Sequence, residues 1–236
     1  MNSVFEKFSL KGGRFLINER LFIDKLSKIK VFIFDWDGVF TSGLKDADLQ
    51  SQFNESDSVG LNLLRFSFYL KFQQQPIIAF ISGEKNLSAF TLAKREFIHR
   101  HYFKIPHKIL AFQHLCQTLN VSEKECCFVF DDILDLSIAE HCGLRMYVQK
   151  PSAVLFNEYV LKNNLADYVS FSDGSKNAVR EITELLIGVY DNFEEVLKHR
   201  IEFSAVYKNY LSSKRQIKTE NFTYIQDRIE SFSDKE

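Results

Sequence analysis

The segment VFIFDWDGVF sets two carboxylates, Asp35 and Asp37, two residues apart at the end of a short apolar run. Side chains two apart on extended backbone share a face, so Asp35 and Asp37 point together and Trp36 points the other way. Gly38 then lets the chain turn sharply. Carboxylates this close repel, and taking them out of water strengthens the repulsion unless a cation or a shared proton intervenes. A hard cation that prefers oxygen, Mg²⁺, suits the pair best. A calcium loop of the EF-hand type begins in a similar way, but its glycine is the sixth loop residue. Here Gly38 would be the fourth, Val39 follows it, and an apolar strand precedes the pair.

A second acidic group, Asp131, Asp132 and Asp135, lies where the run CCFVF gives way to a helix, a favourable place for negative charge. Taken alone, Asp132 is as well explained by capping that helix and Asp135 by a solvated face. Beside Asp35 and Asp37, a metal role becomes the better reading. Ser82 and Gly83 close the run PIIAFIS, and a small hydroxyl followed by glycine lets backbone N–H groups approach an anionic oxygen. Lys108 stands near the start of a helical segment, where an ammonium can neutralise charge developing on a phosphoryl group, although a lone lysine usually faces solvent.

These residues meet only if the elements beneath them are arranged as a parallel sheet. VFIFD, PIIAFIS, HRHYF, CCFVF and LRMYV read as short buried strands. The helical segments SVGLNLLRFSFYLKF, KNLSAFTLAKREF, KILAFQHLCQTLN and ILDLSIAEHC alternate with them. That alternation is the signature of βαβ units, hence of an α/β, Rossmann-like three-layer sandwich with a central parallel sheet. Ligands bind such sheets at the carboxyl ends of the strands, so Asp35, Ser82 and Asp131 should converge on one crevice. Residues 1–28 read as an extended N-terminal arm, 29–190 as the main domain, and 191–236 as a C-terminal helical extension. After ADYVS, about Ser175 to Ser212 read as one or two helices, and the charged segment after Lys214 as peripheral. The stretch from Val39 to Asp57 has room for a small β-hairpin but not for a separate cap domain. A site so uncovered admits bulky substrates or is closed by another subunit.

The composition is that of an ordinary folded chain of 236 residues, 45% hydrophobic and 26% charged. A net charge of −1, from 30 basic and 31 acidic residues, gives no footprint for nucleic acid or an anionic membrane surface. No apolar run approaches the roughly 18 residues that span a bilayer. Cys116, Cys126, Cys127 and Cys142 have no metal-ligand spacing, and the N-terminus carries no legible signal peptide. Reduced thiols and a cytoplasmic location are therefore expected.

In order, FDWDG, AFISG, an isolated lysine and DDILD resemble the four motifs of the haloacid dehalogenase superfamily. The likeness extends to its 3-deoxy-D-manno-octulosonate 8-phosphate phosphatase group through FNESDSVGLNLL, GEKNLSAF, Lys108 and NAVREITELL. It covers roughly residues 28–190. The resemblance implies a Mg²⁺-dependent phosphatase acting on a small phosphorylated metabolite, a sugar or sugar-acid phosphate. Asp35 would be the nucleophile that forms an aspartyl-phosphate, and Asp37 the general acid and base. Asp35, Asp131 and the backbone carbonyl of Asp37 would hold the metal. Ser82 and Lys108 would grip the phosphoryl oxygens, and Gly83, Asn54 and Asp57 would belong to the substrate-binding region. Members of the group close such a site with another subunit as tetramers, so the resemblance also implies a homo-oligomer. Three positions depart from its pattern: Ser58 and Phe130 stand where glycine is usual, and Glu84 where arginine is usual. Glu84 would repel a sugar-acid carboxylate, with Lys85 and Lys94 as candidate compensation. These departures keep a second class in view, a catalytically weak homologue serving as a binding or assembly module. A phosphomutase is disfavoured because it must exclude water, which a short cap segment does not do.

Overall fold

The computed structural model describes residues 2–233. The chain runs through α1 (Val4–Leu10), β1 (Arg14–Phe15), α2 (Glu19–Ser27), β2 (Val31–Phe34), α3 (Glu55–Phe72), β3 (Ile77–Ile81), α4 (Leu87–Glu96), β4 (Arg100–Phe103), α5 (Lys108–Leu119) and β5 (Cys126–Phe130). It continues through α6 (Leu136–Ala139), β6 (Leu144–Tyr147), α7 (Val154–Lys162), β7 (Tyr168–Val169), α8 (Ala178–Tyr190), α9 (Phe193–Ile201), α10 (Ala205–Lys214), β8 (Glu220–Ile225) and β9 (Arg228–Phe232). All strands join one sheet in the order β1-β7-β6-β5-β2-β3-β4-β8-β9. Pairing is parallel except at the two margins, β1 with β7 and β8 with β9.

Each residue of β2 is buried, as a central parallel strand covered on both faces requires. Its alternate side chains enter two separate cores. Phe32 and Phe34 pack with Phe80, Val129 and the apolar faces of α3 and α8. Val31 and Ile33 pack with Ile81, Phe128 and the α5 residues Phe112 and Leu115. Large side chains on both faces fix the register of β2 against β3 and β5, with Phe34 opposite Phe80 and Val129. The residue after each strand is thereby delivered to the same sheet edge.

Three expectations change. Residues 2–28 are not an extended arm: α1 and α2 are capped by Ser3 and Asn18 and pack onto the body. The scattered aromatics are their buried face, with Phe5 against Phe15 and Phe22 at 4.9 and 5.7 Å between ring centroids. The C-terminal part is not purely helical. After three helices rather than one or two, β8 and β9 extend the sheet beyond β4, and Phe222 stacks on Tyr102 at 5.0 Å. The segment from Val39 to Asn54 contains no strand, so the expected hairpin is absent. Val39 and Phe40 are drawn into the core, where Phe40 stacks on Trp36 at 5.3 Å, and the rest closes through a turn between Asp46 and Gln50. The four cysteines are free and buried. Among the described residues no helix is long and apolar enough to cross a membrane.

Candidate active site

Asp35 directly follows β2, Ser82 follows β3 and Asp131 follows β5, all at the carboxyl edge of adjacent strands. Lys108 is the first residue of α5, and its ammonium donates to Asp35 Oδ1 and Asp135 Oδ1, both at 2.6 Å. The carboxylates of Asp35, Asp131 and Asp135 each offer an oxygen within 4.8 Å of the others. All three are buried, as is Lys108. The 3₁₀ turn Ile133–Asp135 folds Asp135 back beneath the strand end, where its Oδ2 accepts from the N–H groups of Asp131 (3.3 Å) and Asp132 (3.2 Å). Asp132 is the cap of that turn.

Charge in the cluster is unbalanced. Burial, then the neighbouring Asp135 and Asp131, raise the Asp35 carboxyl well above the usual range, although Lys108 pulls it down. Burial and Asp135 push Asp131 up to about 6, against the lowering influence of Lys150. Burial works against the Lys108 charge, but Asp35 and Asp135 outweigh it and hold its pKa above the ordinary lysine value. Asp131 Oδ2 is in ion contact with Lys150, while its Oδ1 is buried and has no hydrogen-bond donor among the described residues. Three carboxylates with an unfilled oxygen, facing two ammoniums, are a donor set suited to a hard divalent cation, so the residues fit Mg²⁺.

Gly38 is needed here for two reasons. Its φ is +86°, and a Cβ at this position would collide with the Asp131 carboxylate. The turn after Asp37 thus lies directly against the cluster. Asp37 itself is held apart from the three clustered carboxylates: Ser51 donates to its Oδ1 at 2.6 Å and Lys45 to its Oδ2 at 2.8 Å. Ser51 is fixed in turn by the buried Nδ2 of Asn86, at 2.7 Å. A cavity of about 460 Å³, lined by Asp46, Gln50, Ser51, Phe53, Leu87 and Ser88, reaches this tether. A larger one, about 930 Å³, lies between α1 and the start of α9 and touches none of these residues.

The Ser82 hydroxyl is buried and accepts from the Glu84 N–H at 3.2 Å, shaping the turn that leaves Gly83 exposed. Asn54 and Asp57 are not brought to the carboxylates. Asn54 caps α3, and Asp57 Oδ1 accepts from the Arg180 N–H at 2.8 Å, joining α3 to the start of α8. The departures Ser58 and Phe130 have local explanations: Ser58 Oγ accepts from Arg95 at 2.6 Å, and Phe130 packs on Tyr147. Glu84 is exposed, and the Lys85 ammonium sits over the rings of Phe90, Phe103 and Phe232 rather than beside it. The sequence alone leaves Asp135 between a solvated face and the metal cluster, and it does not single out Lys150, Lys45, Ser51 or Asn86. Lys150 was within reach of the same strand-end rule, since it lies just past β6.

No protein-family model matches the sequence. The chain is 27% identical over 176 residues to the 3-deoxy-D-manno-octulosonate 8-phosphate phosphatase of Salmonella typhi, covering 72% of this chain and 86% of that one. A protein of Legionella pneumophila described as a haloacid dehalogenase superfamily (subfamily III A) hydrolase superposes with a TM-score of 0.63 at 25% identity, over 78% of this chain and 95% of the other. The 3-deoxy-D-manno-octulosonate 8-phosphate phosphatase of Moraxella catarrhalis, solved with magnesium, phosphate and KDO, gives 0.64 at 24% identity, over 77% and 98%.

Proposed function

We propose that this chain, a haloacid dehalogenase-type protein resembling the 3-deoxy-D-manno-octulosonate 8-phosphate phosphatases, is a Mg²⁺-dependent phosphoric monoester hydrolase of sugar or sugar-acid phosphates. The observation that carries the reading is the buried set of Asp35, Asp131 and Asp135 around Lys108 at the ends of adjacent strands.

In this reading Asp35 attacks phosphorus and the ester oxygen leaves, giving an aspartyl-phosphate that water then hydrolyses. Asp37 gives a proton to the departing oxygen and later takes one from the attacking water. Its tether to Ser51 and Lys45 aims the carboxylate, and its partial exposure lets it exchange protons with solvent. Lys108 orients Asp35 and sets positive charge beside the transferring group. Ser82 and the Gly83 backbone face the phosphoryl oxygens at the end of β3. Asp35, Asp131 and the Asp37 carbonyl would hold Mg²⁺, which supplies positive charge to the phosphoryl oxygens and offsets the repulsion among the carboxylates. The cavity beside Ser51 is large enough for a sugar-sized leaving group.

The test is orthophosphate release from a panel of sugar phosphates and sugar-acid phosphates, including 3-deoxy-D-manno-octulosonate 8-phosphate, with Mg²⁺ and with chelator. Release that requires Mg²⁺ and disappears in Asp35→Asn is the expected result. An Asp35→Asn protein as active as the parent would overturn the assignment, and inactivity across the panel would favour a binding or assembly role.

A further inference from the structure

We infer that Lys150 tunes how strongly the carboxylate cluster holds a divalent cation, by competing for the Asp131 carboxylate. The inference rests on the cluster being a metal site.

Lys150 reaches the site from its own strand. Phe130 and Tyr147, the last residues of β5 and β6, are paired neighbours, so the chain leaving β6 passes alongside Asp131. The backbone of Lys150 is anchored there: its carbonyl accepts from the Ala153 N–H at 3.0 Å and from Asn157 Nδ2 at 2.9 Å. From that fixed base its ammonium contacts Asp131 Oδ2 and lies 3.4 Å from Asp132 Oδ2. The two cluster lysines divide the carboxylates between them, since Lys108 takes Asp35 and Asp135 while Lys150 takes Asp131.

This division has an electrostatic consequence. A dication bound through Asp131 must either displace the Lys150 ammonium or lie beside it, and both weaken binding relative to a cluster with Lys108 alone. Lys150 is not needed to bury the cluster, because its side chain is 31% exposed while Asp131 is 1% exposed. A neutral replacement raises the net negative charge seen by the metal, and because it leaves the buried Asp131 without that ammonium it also lowers stability, as breaking a buried ion pair does.

The experiment measures Mg²⁺ affinity by titration calorimetry and Mn²⁺ affinity by electron paramagnetic resonance, in the parent chain, Lys150→Gln and Lys150→Arg, with folding checked by circular dichroism. Lys150→Gln is expected to bind either metal about tenfold more tightly, as removal of a unit charge in contact with the ligand implies, and Lys150→Arg to match the parent. Equal or weaker binding by Lys150→Gln, with the parent binding metal, overturns the competition while leaving the metal site standing. If neither the parent nor Lys150→Gln binds metal, the metal reading fails, and the competition with it.

Discussion

Two groups of buried charge in this molecule each set carboxylate against ammonium and behave in opposite ways. At the strand ends, Asp35, Asp131 and Asp135 confront Lys108 and Lys150. Among α3, α4 and α10, Glu96 receives hydrogen bonds from Lys214 (2.6 Å), Asn62 (2.8 Å) and Arg95 (2.9 Å). Arg65, fully buried, donates to the backbone carbonyls of Glu96 and Phe97. Burial opposes the Glu96 charge, yet Lys214, Asn62 and Arg95 outweigh it and bring its pKa below the usual value. In the strand-end cluster Asp35 and Asp131 go the other way. One group fills both oxygens of its carboxylate, and the other leaves a carboxylate oxygen unfilled. A carboxylate filled on both oxygens ties elements together, whereas a surplus of negative charge calls for a ligand.

The contrast is broken most severely at Gly38. Gly38→Ala forces a left-handed φ on alanine and drives its Cβ into Asp131. Turnover should fall by at least about 10²-fold, the cost of displacing a catalytic group by roughly 1 Å, while far-ultraviolet circular dichroism stays near that of the parent. Unchanged turnover would mean that Asp131 is not required where it stands.

Glu96→Gln tests the other group and should do the reverse. It removes the anion beside Lys214, whose pKa burial already lowers to about 8, so the lysine can shed its proton; the expected loss is about 1–2 kcal/mol of stability in a urea titration, with the turnover of folded enzyme unchanged. The double replacement Glu96→Leu with Lys214→Met should recover much of that loss, since an apolar pair leaves no charge uncompensated. A fall in turnover without a fall in stability would erase the distinction between the two groups.

The smallest effect sharpens the comparison at Asp57, a carboxylate with one oxygen filled by the Arg180 N–H and one buried oxygen that has no donor among the described residues. Burial pushes its pKa up to about 7, from 3.8. The folded chain holds this proton more tightly than the unfolded chain does. The stability it contributes is complete below pH 4 and is lost as pH rises through 7. Asp57→Asn cannot titrate, so its urea midpoint should gain on the parent's between pH 5 and pH 8. Parallel profiles would show that Asp57 ionises normally.

The same physics explains which features the sequence disclosed. Central strands buried on both faces leave unbroken apolar runs, so β2, β3 and β5 and the residues that end them were legible. Asp135 was ambiguous because its burial depends on a 3₁₀ turn that returns it beneath β5, and no local pattern marks that return. The hairpin β8–β9 was missed because it is only half covered. It mixes charged and apolar residues, and it turns through Gln226 and Asp227 at positive φ without a glycine. The helices within residues 2–27 leave little trace because each is short and buries a single aromatic, Phe5 in α1 and Phe22 in α2.

That C-terminal hairpin also sets a schedule for synthesis. The outer edge of β4 is covered only by β8, so its backbone groups stay open to other chains until the ribosome has delivered Glu220 and the residues after it. At ordinary elongation rates the delay from Phe103 is on the order of ten seconds. The exposed margin it finally leaves, β9, carries Arg228 and Glu230, so a finished molecule presents charge at its sheet edge where a nascent one presents pairing groups.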